Sequence, residues 1–103
     1  MRAVFHSEAR LELTEAAQWY NSQSRGLGSD LRREVEAAVA RIVANPERFG
    51  KLDDDIRCCL VHCFPYGNLY EIRRDRVLIV VVMHLHRAPG YWKSRVRPGE
   101  SGT

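Results

Sequence analysis

Residues 77–83 read Val-Leu-Ile-Val-Val-Val-Met, an unbroken apolar run. Arg73-Arg74-Asp75-Arg76 bounds it on one side, and His84, His86 and Arg87 on the other. About seven apolar residues between polar boundaries is a strand's length, and a run with no alternation implies cover on both faces. Five of the seven are valine or isoleucine, whose branched Cβ disfavours a short helix and suits a pleated sheet. The run therefore predicts the central strand of a sheet. Its exit is chemically dense: two histidines two residues apart, an arginine, a proline turn at Pro89, Tyr91-Trp92, and then Lys93, Arg95 and Arg97.

Upstream patterning supplies the other layer. Residues 2–5 form a short opening strand. Ser7 before Glu8 and Glu12 reads as an N-cap followed by acids at the positive end of a helix. Ala9, Leu13, Ala16, Ala17 and Tyr20 recur at helical spacing, predicting a helix from about Ser7 to Gln23. Residues 24–28 break it. A second helix follows, with Leu31, Val35, Ala38, Val39 and Ile42 on one face, Ser29 or Asp30 as its cap, and Asn45-Pro46 as its end. Residues 47–55 read as a polar connection, with Asp53-Asp54-Asp55 as solvated loop. Ile56–Phe64 and Asn68–Arg73 are strands, turned by Pro65-Tyr66-Gly67 and by residues 74–76 into the apolar run. The fold class expected is α+β, in the order β-α-α-β-β-β. A helical hairpin covers one face of a three-stranded antiparallel meander, a short helical turn follows at residues 90–95, and the other sheet face stays bare. Residues 1–97 form one domain, and 98–103 are expected to be a disordered tail.

A chain of 103 residues suffices for one core. No apolar stretch reaches the ~18 residues that would span a bilayer. The N-terminus lacks a signal peptide's apolar region, which predicts a cytoplasmic protein. Cys58, Cys59 and Cys63 are odd in number and crowded, so they read as small buried thiols rather than a disulfide framework or a metal site. Charge is uneven. Residues 1–55 hold eight cations and ten acids, whereas residues 56–97 hold eight cations and only Glu71 and Asp75. A cationic second half suits an anionic partner, nucleic acid or an acidic protein segment, or else is a solvated basic face.

Strand parity places Arg57 with Cys59, Val61 and Cys63, opposite Ile56, Cys58, Leu60 and Phe64. With the Ile56 set packed on the helices, Arg57 faces the bare side. Leu78, Val80, Val82, His84 and His86 likewise share a face, and parity leaves open whether it is the one that carries Arg57. A surface holding Arg57, His84, His86, Arg87 and Tyr91 has the groups that phosphodiester cleavage by a 2′-hydroxyl needs. These are a base, an acid and cations around the phosphate, with no metal or other cofactor. Against this, a histidine at a strand end is often only an edge residue. Trp92 reads as closing the core, and Trp19 and Tyr20 as packing or partner residues. Phosphate-cradling glycine loops, serine-hydrolase elbows and zinc-ligand spacings do not occur.

FPYGNLYEI at residues 64–72 and HLHRAPGYWKSR at residues 84–95 resemble the RelE/ParE superfamily of type II toxin–antitoxin toxins, in its plasmid stabilization branch. Ala9, Trp19-Tyr20, Leu27-Gly28, Asn45-Pro46 and Arg57 extend the resemblance over roughly residues 2–96. It implies a small α+β toxin that arrests growth and is held inactive, in a hetero-oligomer, by a cognate antitoxin encoded beside it. RelE-like members cleave ribosome-bound mRNA without metal; ParE-like members inhibit DNA gyrase. By position, Arg57 falls on a phosphate-gripping arginine, His86 or Arg87 on a second cation, and Tyr91 or Trp92 near a C-terminal tyrosine. Gly67 stands where many ribonuclease members have arginine, and residues 47–55 offer Lys51 and three acids in place of a lysine cluster. Asn68 replaces an apolar residue. These departures tilt the expectation toward gyrase inhibition, with the ribonuclease and an inactive antitoxin-binding module as alternatives.

Overall fold

The computed structural model describes residues 1–87 and 90–96, so Pro89 and the expected tail at 98–103 lie outside the described residues. Strand β1 (Arg2–Phe5) leads into helices α1 (Ser7–Gln23) and α2 (Leu27–Ala44). Strands β2 (Lys51–Asp53), β3 (Ile56–Leu60), β4 (Tyr66–Ile72) and β5 (Arg76–His84) follow, then a 3-10 turn at Lys93–Arg95. One sheet of order β1-β5-β4-β3-β2 holds all five strands, with β1 parallel to β5 and the other pairs antiparallel. The expected α+β layering is what forms. The added strand β2 comes from the segment read as polar connection; at a sheet edge its side chains stay wet while Lys51 pairs opposite Arg57.

The α1 stripe is as its spacing predicts, with Ala9, Leu13, Ala16 and Ala17 buried. Its cap is His6 rather than Ser7: the ring Nδ1 accepts from the Glu8 N–H at 3.0 Å. Helix α2 starts at Leu27, ahead of the Ser29 or Asp30 expected as its cap. Gly26 at φ 86° makes the turn, and the Asn21 side chain accepts from the Gly28 N–H at 2.8 Å. Strand β3 stops at Leu60 instead of reaching Phe64, because the Val61 N–H closes onto the Tyr66 carbonyl at 2.9 Å and folds residues 62–65 into a hairpin loop. That loop puts Cys63 at φ 71° and exposes it, so of the three free thiols only Cys59 is fully buried.

The sheet faces are the reverse of the expected arrangement. Cys59, Val61, Tyr70, Val77, Ile79 and Val82 pack with Leu13, Leu31, Val35 and Ile42 of the helices, and Cys59 Sγ lies 3.9 Å from the Ala38 carbonyl. Arg57, which shares the parity of Cys59, therefore points to the helix side. Ile56, Leu69, Val80 and Val81 face the other way, and that face is not bare: Trp92, Tyr91 and Val96 fold back over it. The apolar run is thus covered on both faces as predicted, and Trp92 takes the core role expected of it, with 3% exposure.

The single face assigned to Leu78, Val80, Val82, His84 and His86 is broken by a bulge. Leu69 pairs with Val81 but the next residue, Tyr70, pairs with Ile79, leaving Val80 extra. An extra residue inverts the alternation beyond it. Val82 consequently joins the helix-side cluster, while Leu78 and Val80 belong to the opposite one.

Asn68 is completely buried beneath α2. Its Nδ2 donates to the Val35 carbonyl at 3.3 Å, and its Oδ1 has no partner among the described residues. An unpaired buried acceptor carries a desolvation cost, whereas Val35 lies within α2, whose ladder also uses its carbonyl. Asn68→Leu is expected to raise stability by about 1 kcal/mol, read as a higher urea midpoint at unchanged slope.

Candidate functional site

Strand β1 ends where the His6 N–H donates to the Ile79 carbonyl at 2.8 Å, so beyond Ile79 the outer edge of β5 has no strand beside it. Side chains finish that edge. Glu12 of α1 accepts from the Val82 N–H at 3.1 Å, and Arg95 donates to the Val80 carbonyl at 3.1 Å, so the two backbone groups around the bulge are both paired. Glu12 and Arg95 bond each other through both carboxylate oxygens at 3.0 Å, with side chains only 16% and 13% exposed. The Tyr91 hydroxyl adds a third donor to Glu12 at 2.8 Å. Burial first, and then this hydrogen bond to a carboxylate, push the Tyr91 phenol well above its ordinary pKa.

The site at the strand exit is a 230 Å³ cleft between α1 and β5, lined by Glu12, Glu15, Tyr66, His84, Arg87 and Tyr91 among others. Tyr66 meets His84 edge-to-face at 5.1 Å between centroids, and the His84 and His86 rings stand 5.2 Å apart. The His86 N–H donates to His84 Nδ1 at 3.1 Å, so the neutral ring carries its proton on Nε2. The Arg87 guanidinium lies 3.9 Å over the Tyr91 ring. Four residues singled out from the sequence, His84, His86, Arg87 and Tyr91, are therefore brought together at one sheet corner.

Arg57 is not among them. Its Nη1 donates to the Phe49 carbonyl at 2.7 Å and the Glu47 carbonyl at 3.2 Å, closing the loop after α2. Opposite it on β4, the Tyr70 hydroxyl donates to the Pro46 carbonyl of the same loop, and burial pushes its pKa up to about 12. Arg57 thus clamps the loop. Arg57→Ala should cost about 1–3 kcal/mol of stability by stripping two carbonyls of their donor, measured by thermal unfolding.

Four of the eight cations in the second half are spent on internal ion pairs. Arg73 is bonded to Glu71, Arg76 to Asp75, Lys93 to Asp53 and Arg95 to Glu12. Beside the cleft the carboxylates of Glu12 and Glu15 face Arg87 and His84, so an incoming phosphate meets charge of both signs. Of the candidate site residues at the exit, His86 and Arg87 are exposed. Residue reading missed Glu12, Arg95 and Tyr66. One signal was available for Glu12: it stands three residues after Ala9 and four before Ala16, on the margin of the buried stripe, where a carboxylate needs a partner.

Among the described residues no His, Cys, Asp and Glu group is arranged to hold a metal ion, and no helix is long and apolar enough to cross a membrane. No protein-family model matches the sequence, and no curated protein matches it significantly. Solved structures do match. One from the chromosomal ParDE TA system of P. aeruginosa aligns over 84% of this chain and 97% of its own, at 13% identity and a TM-score of 0.72. A chain built as a helical hairpin on a five-stranded sheet, with its C-terminal segment pinned across the far face, thus has the fold found in a ParDE TA system.

Proposed function

We propose that this chain is the toxin of a type II toxin–antitoxin pair, that it arrests growth by inhibiting DNA gyrase, and that a cognate antitoxin neutralises it. The fold shared with a ParDE chain supports the class. The observation that favours gyrase inhibition over catalysis is what the candidate catalytic groups are doing. Arg57 clamps loop carbonyls, and the Tyr91 hydroxyl is committed to Glu12 beneath the Arg87 guanidinium. A phenol whose proton is held by a carboxylate and whose pKa is raised is a poor general base at neutral pH. Gly67 adds nothing to grip a phosphate.

Inducing the chain alone in bacteria is expected to stop growth, and purified protein to inhibit gyrase supercoiling without cutting ribosome-bound mRNA. Growth unaffected by induction would reject the toxin and favour a module that only binds an antitoxin. Cleavage of mRNA in the ribosomal A site, lost on His86→Ala, would instead support the ribonuclease reading. The adjacent rings of His84 and His86 and the exposed Arg87 are the features that keep that second reading worth testing.

A further inference from the structure

An open sheet has two edges, here the outer sides of β1 and β2. An edge presents N–H and C=O groups that no strand satisfies, and folded chains blunt it with short strands, bulges and charge. Strand β2 uses all three: it is three residues long, its register shifts between Lys51 and Asp53, and both of these are charged. Strand β1 reads Arg-Ala-Val-Phe and pairs with β5 in unbroken register. Its ladder shows which groups stay open. The His6 N–H donates to the Ile79 carbonyl, and Phe5 is the register partner of Ile79. Backbone direction alternates along a strand, so Arg2, Val4 and His6 turn their polar groups to β5, whereas Ala3 and Phe5 turn theirs away from it. Among the described residues no hydrogen bond reaches the main chain of Ala3 or Phe5 from that outer side, and neither residue is fully buried.

These open groups specify the shape of an occupant. N–H donors and C=O acceptors at two-residue spacing match an extended backbone, whereas a helix has already bonded its own. Charge specifies the sign. Arg2 is exposed, and it stands in register beside Arg76, whose guanidinium is already bonded to Asp75. Arg10 is exposed with its guanidinium 5.2 Å over the Phe5 ring, so a cation flanks each end of the open edge. Neither arginine has an ion pair among the described residues. Glu8 precedes Arg10 by two positions, which sets it round the helix and away from that guanidinium. A second copy of β1 would satisfy the hydrogen bonds but would gather the unpaired Arg2 and Arg10 of both copies along one seam. A segment that carries carboxylates gains at both ends instead.

We infer that the outer edge of β1 is a docking site for an acidic, extended segment of another protein, which adds to the sheet as a further strand and sets its carboxylates beside Arg2 and Arg10. This goes beyond the toxin reading and is measured by peptide binding rather than by growth, so either can fail alone. The probe is a capped peptide, Glu-Glu-Val-Thr-Val-Glu-Glu, added to the full chain at low salt. The Ala3 and Phe5 amides should exchange fast in the free chain and gain about 10-fold protection or more with the peptide. Binding should weaken as salt is raised and should fail when lysine replaces the four glutamates. Ala3→Pro removes one outward N–H at a place where an edge strand accepts proline. It should raise the peptide's dissociation constant about 10-fold while the Val4 and His6 amides, which face β5, stay protected. Arg2→Gln combined with Arg10→Gln should weaken binding by a similar factor with an unchanged circular-dichroism spectrum. The inference is overturned if millimolar peptide leaves the Ala3 and Phe5 amides unprotected, or if binding survives Ala3→Pro. It is equally overturned if the lysine peptide binds as well, or if those two amides gain protection with rising protein concentration alone, which would make a second copy the occupant.

Discussion

Glu12→Ala is expected to destabilise the fold by about 3–5 kcal/mol, the cost of stranding one member of a largely buried ion pair. The reason is the number of groups that converge on this carboxylate: the Val82 N–H, the Tyr91 hydroxyl and both ends of the Arg95 guanidinium. Without it Arg95 keeps its charge at 13% exposure, with the Val80 carbonyl as its remaining hydrogen-bond acceptor among the described residues. The β5 edge at Val82 also loses its acceptor. Against a total stability of about 5–15 kcal/mol such a loss is severe, and for a domain of this size it corresponds to a fall in Tm of roughly 15 °C or more. Because Tyr91 and Trp92 are held by the same network, Trp92 fluorescence should shift toward that of a wet indole before global unfolding. Glu12→Ala combined with Arg95→Met should recover part of the loss, since no charge is then left unpaired. Additive losses in the double variant would show that the two residues act separately and would sink this account of the network.

Gly28→Ala should be nearly as damaging, at about 3 kcal/mol, for a wholly different reason. A Cβ there would stand 2.1 Å from the Ala17 carbonyl oxygen and 2.7–2.8 Å from the Asn21 amide. Asn21 can swing away, at the expense of its bond from the Gly28 N–H, but the Ala17 carbonyl is helix backbone and cannot. The two helices must separate at their turn, which loosens packing along the hairpin. A urea titration should show a lower midpoint with little change in slope. Gly50→Ala makes a clean comparison, because a Cβ there meets no atom within 4 Å. Similar losses at the two positions would mean that close helix approach is not what Gly28 provides.

These expectations also mark where residue reading stopped. Helix α1 was legible to its ends, because Ala9, Leu13, Ala16 and Ala17 repeat at helical spacing and the chain breaks at residues 24–28. Strand β5 was legible because an unbroken branched run has few alternatives. The start of α2 was missed because its cap is a glycine turn with no side-chain bond, which leaves no capping residue to see. Strand β2 was missed because an edge strand of three residues needs no apolar pattern. The candidate cluster was half legible: chain proximity alone brings His84, His86, Arg87 and Tyr91 together. Arg57 was placed on the wrong face, since alternation says which residues share a side but not which side the helices choose.

What the sequence determined by itself is therefore local and periodic: two amphipathic helices, a doubly covered strand, an antiparallel run of hairpins and the α+β class. These follow from hydrophobic spacing, which acts within a few residues. Tertiary structure alone decided which sheet face meets the helices, where Val80 bulges out of register, and that Glu12 reaches across 83 residues to hold Arg95. Those outcomes depend on backbone groups left unpaired where β1 ends and on the side chains near enough to satisfy them. The first has no signature in one dimension, and of the second only the place of Glu12 beside the buried stripe shows there.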